Sequence, residues 1–161
     1  MGVFEQWGQL FQPLGPGVHG FGAKAKDFSF GDLNNDGRVD IVAVKPDHNK
    51  DTEGGNRIYF NQIANGNHYI KVNATTESNR LGIGAKVTVY ERGSNKILGY
   101  DEVRTDFCYR SKKSTTLHFG LGKIKKVDVK LVLRSGRSVV YRDLLADKEH
   151  TLSVPVGSEI E

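Results

Sequence analysis

The chain has 161 residues and a mass of 17.8 kDa, with 37% hydrophobic and 26% charged residues, so it can bury a core and is no disordered polyelectrolyte. Its formal net charge of +4 favours anionic partners but is too small to mark a nucleic-acid binder. No apolar run approaches the roughly 18 residues of a membrane span, and the single cysteine excludes an intrachain disulfide or a cysteine-built zinc site.

The opening "MGVFEQWGQLF" lacks the basic and then apolar pattern of a signal peptide, so an export signal is expected outside this sequence. The first strand signals are "DFSFGD" (27–32) and "VDIVAV" (39–44), and between them lies an acidic loop. From Asp32 it reads D-x-N-x-D-G-x-x-D, with Asp32, Asn34, Asp36, Gly37 and Asp40 at the named positions. Calcium takes six to eight oxygens, and alternate residues of a curled loop aim their side chains inward. Asp32, Asn34 and Asp36 are therefore candidate side-chain ligands, the Arg38 carbonyl is a further one, and Asp40 closes the shell. Gly37 permits the bend. The loop is not an EF-hand, because position twelve is Ala43 instead of a bidentate Glu and strands flank it. With no histidine or cysteine in the loop, zinc is disfavoured, and magnesium would keep more water. The plainer alternative is an Asn-Asp-Gly turn kept soluble by its acids.

After the polar linker "KPDHNKDTEGGN", "RIYFNQ" (57–62) supplies a third strand, and "ANGNH" (64–68) marks a boundary. The expected domains are thus residues 1–66 and 67–161. The second half has a period of two in "YIKVNAT" (69–75), "AKVTVYE" (85–91), "STTLHFG" (114–120), "VDVKLVL" (127–133) and "RSVVYRD" (137–143). "ERGSNK", "GLGK" and "RSGR" are turns between them, the last a hairpin loop centred on Ser135 and Gly136. "YRDLLADKEH" is equally readable as a helix or as an irregular turn into a last strand at 151–156. The expected fold class is all-β, a β-sandwich preceded by a single propeller-blade-like antiparallel unit.

Other motifs are weaker. "GFG", "GIG" and "GLG" suggest tight turns or bulges, since none opens a helix as a nucleotide-binding glycine loop does. Asn79 and Arg80, just before "LGIGA", are candidate ligand-binding residues, although Asn79 equally suits a turn cap and Arg80 an ion pair. The five histidines share no metal-binding spacing, and His118 reads as a half-buried sheet residue. Cys108 reads as a small packing residue. Lys123, Lys125, Lys126, Lys130, Arg134 and Arg137 make the second half basic, and Lys126 and Lys130 share a face on a regular strand. That face is a candidate site for acidic or sulfated glycans, with a solvated sheet face as the alternative. Aromatic residues are not interleaved with these lysines as a stacking platform would require.

"GFGAKAKDFSFGDLNNDGRVDIVAV" followed by "NRIYFNQ" resembles a calcium-binding FG-GAP (VCBS-type) repeat, the blade unit of integrin-like propellers. "GNHYIKVNATTESNRLGIGAKVTVY", with "LHFGLG" and "VDVKLVLRSG", resembles the ASPIC/UnbV domain, which commonly follows such repeats in secreted proteins, including the cartilage acidic protein 1 group. "VLRSG" departs from that family's usual Trp-Pro before Ser-Gly. A lone FG-GAP unit departs from the 4–8 blades of a propeller. It points first to a C-terminal piece of a longer repeat protein. Other outcomes are packing of the unit on the sandwich, or homo-oligomers formed through open sheet edges.

The acidic loop, together with the absence of any catalytic constellation, leads to the expectation of a non-catalytic, calcium-stabilised module for adhesion or recognition in the extracellular space or cell envelope. Its expected partner is an extracellular protein or glycan, with no nucleic acid and no membrane insertion. A polyanion binder is the alternative, and a glycan- or ester-acting hydrolase the weakest reading.

Overall fold

A computed structural model of the chain describes residues 11–13, 27–44, 57–63, 65–76, 79–105 and 114–154. Cys108, His19, His48, the "GFG" element and the linker at 45–56 lie outside them. The described residues are all-β: they form eleven strands and no helix. They fall into two compact units, one ending at Ile63 and the other beginning at Asn65.

In the first unit, β1 (Phe11–Pro13), β2 (Asp27–Gly31), β3 (Asp40–Val44) and β4 (Arg57–Asn61) make one antiparallel sheet in the order β1-β4-β3-β2. Four antiparallel strands are the complement of a propeller blade. Its buried cluster is small: Ile41, Ala43 and Tyr59, with Phe28 packed against them. β1 has no counterpart in the sequence reading, because a three-residue strand ending in Pro13 shows no period.

The second unit contains β5 (His68–Thr75), β6 (Lys86–Glu91), β7 (Ile97–Glu102), β8 (Thr116–Gly122), β9 (Lys126–Val132), β10 (Ser138–Leu145) and β11 (Lys148–Ser153). They build a four-stranded sheet, β10-β9-β6-β7, and a three-stranded sheet, β11-β5-β8, in which β11 runs parallel to β5. Alternation places Ile70, Val72 and Ala74 of β5 and Leu117, Phe119 and Leu121 of β8 in the same core as Val87, Val89, Val127, Val129 and Leu131 of the larger sheet. Burying each such aliphatic side chain contributes about 1.5–3 kcal/mol. Both pairs of sheet edges are tied. The Phe119 ring of β8 packs over Gly99 of β7, where an added Cβ would lie 2.7 Å from Phe119 Cδ1. At the other end, the Tyr141 hydroxyl of β10 donates to the Ser153 carbonyl of β11 and accepts the Ser153 amide at 3.1 Å.

"YRDLLADKEH" is neither a helix nor a loose turn. All of its residues except Ala146 and Asp147 belong to β10 and β11, and those two form a sharp corner between the strands. Asp143 and Asp147 sit at φ 59° and 58°, which no helix accommodates, and a register shift between Tyr141 and Leu144 marks a bulge. At the corner Asp147 donates its amide to the Tyr69 carbonyl at 2.7 Å, and its carboxylate meets His68 Nδ1 at 2.6 Å. The chain thereby crosses from one sheet to the other within two residues.

Candidate functional site

The acidic loop is curled by its own side chains. Asp32 accepts the amides of Asp36 and Gly37 at 3.0 and 2.9 Å, and Asn34 Oδ1 accepts the same Asp36 amide at 3.2 Å. Asp36 Oδ1 accepts the Arg38 amide at 2.9 Å. Sharing of the Asp36 N–H brings oxygens of Asp32 and Asn34 together, and Asn34 Nδ2 links to Asp36 Oδ2 at 2.7 Å. Asn35 and Gly37 take positive φ, 59° and 84°, and produce the tight bend.

Asp40 is fully buried at the base of the loop. Its Oδ2 accepts the Leu33 amide and its Oδ1 the Asn61 amide, both at 2.9 Å, so it fastens the loop to β4. Arg38 reaches the same place: Nη2 lies 2.5 Å from Asp36 Oδ2, and Nε donates to the Asn61 carbonyl at 2.5 Å. The guanidinium thus balances part of the loop's negative charge. Among the described residues no three His, Cys, Asp or Glu side chains come together as a metal group. The oxygen-only set of Asp32, Asn34 and Asp36 fits a hard cation, since a carboxylate oxygen that accepts one N–H keeps a second acceptor position. Asp40 holds two amides at once, and Arg38 would compete with a cation for Asp36.

In the second unit the turn from β5 to β6 is braced by Asn79. Its amide donates to Thr76 Oγ1 at 2.8 Å, its Nδ2 to the Ile83 carbonyl at 2.9 Å, and its carbonyl accepts the Gly82 and Thr76 amides at 3.0 Å. Asn79 therefore holds the turn, whereas Arg80 is exposed on it. Gly82 has φ 62°, and a Cβ there would lie 2.1 Å from the Ala74 carbonyl oxygen, so this position admits only glycine. His118 is half-buried and stacks on Tyr69, with ring centroids 5.3 Å apart and planes 10° apart.

Lys126 and Lys130 lie on the outward face of β9, opposite Val127, Val129 and Leu131. Between them is Asp128, which is buried. It accepts the Gly93 amide at 3.0 Å and the Asp143 amide at 2.9 Å, with Arg142 Nη1 at 3.6 Å. The two amides hold its carboxyl below the usual range; Arg142 and Arg92 add to this, and burial opposes it. Asp128 clamps the β6–β7 turn and the β10 bulge onto β9. Sequence reasoning missed it, because the D of K-V-D-V-K has the same parity as its solvated neighbours.

The observed register corrects the reading that aromatics are not interleaved with these lysines. Tyr100 of β7 pairs with Thr88, Thr88 with Lys130, and Lys130 with Val140, a row that crosses all four strands. In the adjacent row Ile97 pairs with Tyr90, and Tyr90 with Asp128. Both tyrosines therefore stand on the outward face with the lysines.

Compared with protein families, residues 75–159, more than half of the chain, match ASPIC and UnbV. The chain belongs to this ASPIC/UnbV family. No curated protein matches it. The ASPIC/UnbV match begins at the last residue of β5 and takes in the Asn79 turn, the Asp128 clamp and the Tyr141–Ser153 tie. The acidic loop precedes it. Among the described residues, no helix is long and apolar enough to cross a membrane.

Proposed function

We propose that this chain is a non-catalytic recognition module of the extracellular space or cell envelope, in which calcium stabilises the first unit and the ASPIC/UnbV sandwich presents the binding surface. On this reading the first unit is an FG-GAP (VCBS-type) repeat, and the whole resembles the C-terminal part of the cartilage acidic protein 1 group. The observation that carries the calcium reading is the shared Asp36 amide, which draws oxygens of Asp32 and Asn34 together within an all-oxygen set. Asp32, Asn34 and Asp36 would hold the ion, with the Arg38 carbonyl and Asp40 as the remaining donors. When bound, the ion supplies charge balance and cross-linking, and no reaction.

Asp40 and Arg38 already fasten the loop to the end of β4. Cation binding would add to this scaffold by mass action, about 2.7 kcal/mol at a free concentration 100 times the dissociation constant. Thermal unfolding with calcium and with EDTA tests the reading. A midpoint that rises with calcium, falls with chelator and becomes insensitive in Asp32→Ala supports it. Equal midpoints in both conditions would refute it.

A further inference from the structure

We propose that the outer face of the four-stranded sheet binds an anionic polysaccharide, with tyrosine rings against sugar faces and lysines against carboxylates or sulfates. The inference rests on the reading of the chain as a binding module and names the class of partner.

An antiparallel sheet with one face on the core ordinarily shows a polar opposite face. Here that face carries Ile97 and Tyr100, 59% and 58% exposed, with Val140 and Leu145 also exposed. The strand register orders them. One row runs Tyr100, Thr88, Lys130, Val140, and the next runs Glu102, Lys86, Val132, Ser138. Lys126, paired with Leu145, extends the face at one end, and Arg142 stands on it beside Asp128 with 72% of its side chain exposed. With strands about 4.8 Å apart and alternate residues about 6.8 Å apart, the rows span roughly 14 Å in each direction.

The charge on this platform is one-sided. Lys86, Lys126 and Lys130 make no ion pair among the described residues, while the exposed Arg142 is paired with Asp128. Their acidic neighbours are Glu102, the buried, amide-bound Asp128, and Asp143, whose carboxylate is taken by Arg92. A partner must therefore be anionic. It must also offer apolar surface to Tyr100 and Ile97 and hydrogen-bonding groups to Thr88 and Ser138. A chain of acidic sugars combines all three. The hydroxyl-bearing residues interrupt the apolar ones, which disfavours a lipid surface, and the +4 net charge of the chain disfavours nucleic acid.

Affinity electrophoresis or calorimetry with polygalacturonate, heparin and neutral dextran tests this, with the two acidic polymers separating carboxylate from sulfate recognition. Binding of at least one acidic polymer is expected, with none to dextran. Tyr100→Ala should weaken it roughly tenfold, the order of one stacking contact. Tyr100→Phe should retain binding, and Lys130→Gln should weaken it more than Lys148→Gln on β11, an equal loss of charge elsewhere. Equal effects of the two lysine variants together with an unaffected Tyr100→Ala would overturn the proposal, as would no binding or binding only to anionic vesicles, acidic peptides or nucleic acid. The melting temperature of each variant confirms folding. Calcium-dependent melting in the same protein separates failure of this inference from failure of the calcium reading.

Discussion

Gly82→Ala should be among the most damaging single-methyl changes in the sandwich. Gly82 has φ 62°, and a Cβ there would stand 2.1 Å from the Ala74 carbonyl oxygen, 2.7 Å from its carbon and 2.9 Å from its Cβ. The left-handed backbone costs an alanine about 1–2 kcal/mol. Backbone displacement of this kind adds about 1–3 kcal/mol, for a total of about 2–5 kcal/mol. Gly136 is the control: its φ is 88°, but a Cβ there meets nothing within 4 Å, so Gly136→Ala carries only the conformational cost. In urea unfolding both variants should keep the wild-type m-value, and Gly82→Ala should lie at least about 1 kcal/mol below Gly136→Ala. In thermal unfolding each kcal/mol corresponds to about 4–8 °C for a domain of this size. Equal stabilities of the two variants would show that the turn relaxes away from Ala74 and would refute the argument.

Asp128→Ala leaves the Gly93 and Asp143 amides without their acceptor and should cost about 1–3 kcal/mol in chemical denaturation, whereas an unchanged midpoint would mean that water replaces the carboxylate. Because the folded state lowers the Asp128 pKa below 3.8, its stabilising effect is present above that value and is lost as pH falls through the lower folded value. Asp128→Asn should therefore flatten the loss of stability on acidification below about pH 4, which denaturation at a series of pH values would read. Tyr141→Phe removes a hydroxyl that both donates to and accepts from Ser153, and should lower stability by about 1–2 kcal/mol in the same assay. Asp40→Ala strips a fully buried carboxylate from the Leu33 and Asn61 amides. It should loosen the first unit, seen as faster hydrogen exchange at those two amides, while the sandwich melts as before.

The strands with strict alternation were legible. "YIKVNAT", "AKVTVYE" and "VDVKLVL" became β5, β6 and β9 within one or two residues of the expected bounds, because one side of each faces a single core. β7 was not legible. "ILGYDE" breaks the period with Gly99, which is there because Phe119 occupies the space of a side chain, and with an extra residue at Leu98 where the register shifts. Missing β7 also concealed Tyr100, and with it the mixed aromatic and basic face. The corner between β10 and β11 was hidden for another reason. Asp143 and Asp147 adopt positive φ, and D-L-L-A-D carries the composition of a helix. In the acidic loop the spacing of Asp32, Asn34 and Asp36 announced the curl, but nothing local announced that Asp40 would hold the Asn61 amide of β4 or that Arg38 would reach the Asn61 carbonyl. Such partners are set by tertiary pairing, 21 and 23 residues away along the chain.

Calcium binding and polysaccharide recognition fall to two separate surfaces on this reading, and one amide-resolved NMR titration tests that division directly. Calcium should shift amides at residues 32–40 and Asn61 and leave the sandwich unmoved. An acidic oligosaccharide should shift Lys86, Thr88, Tyr100 and Lys130 and leave the loop unmoved. Calcium shifts absent from the loop, or oligosaccharide shifts scattered over both units, would contradict it.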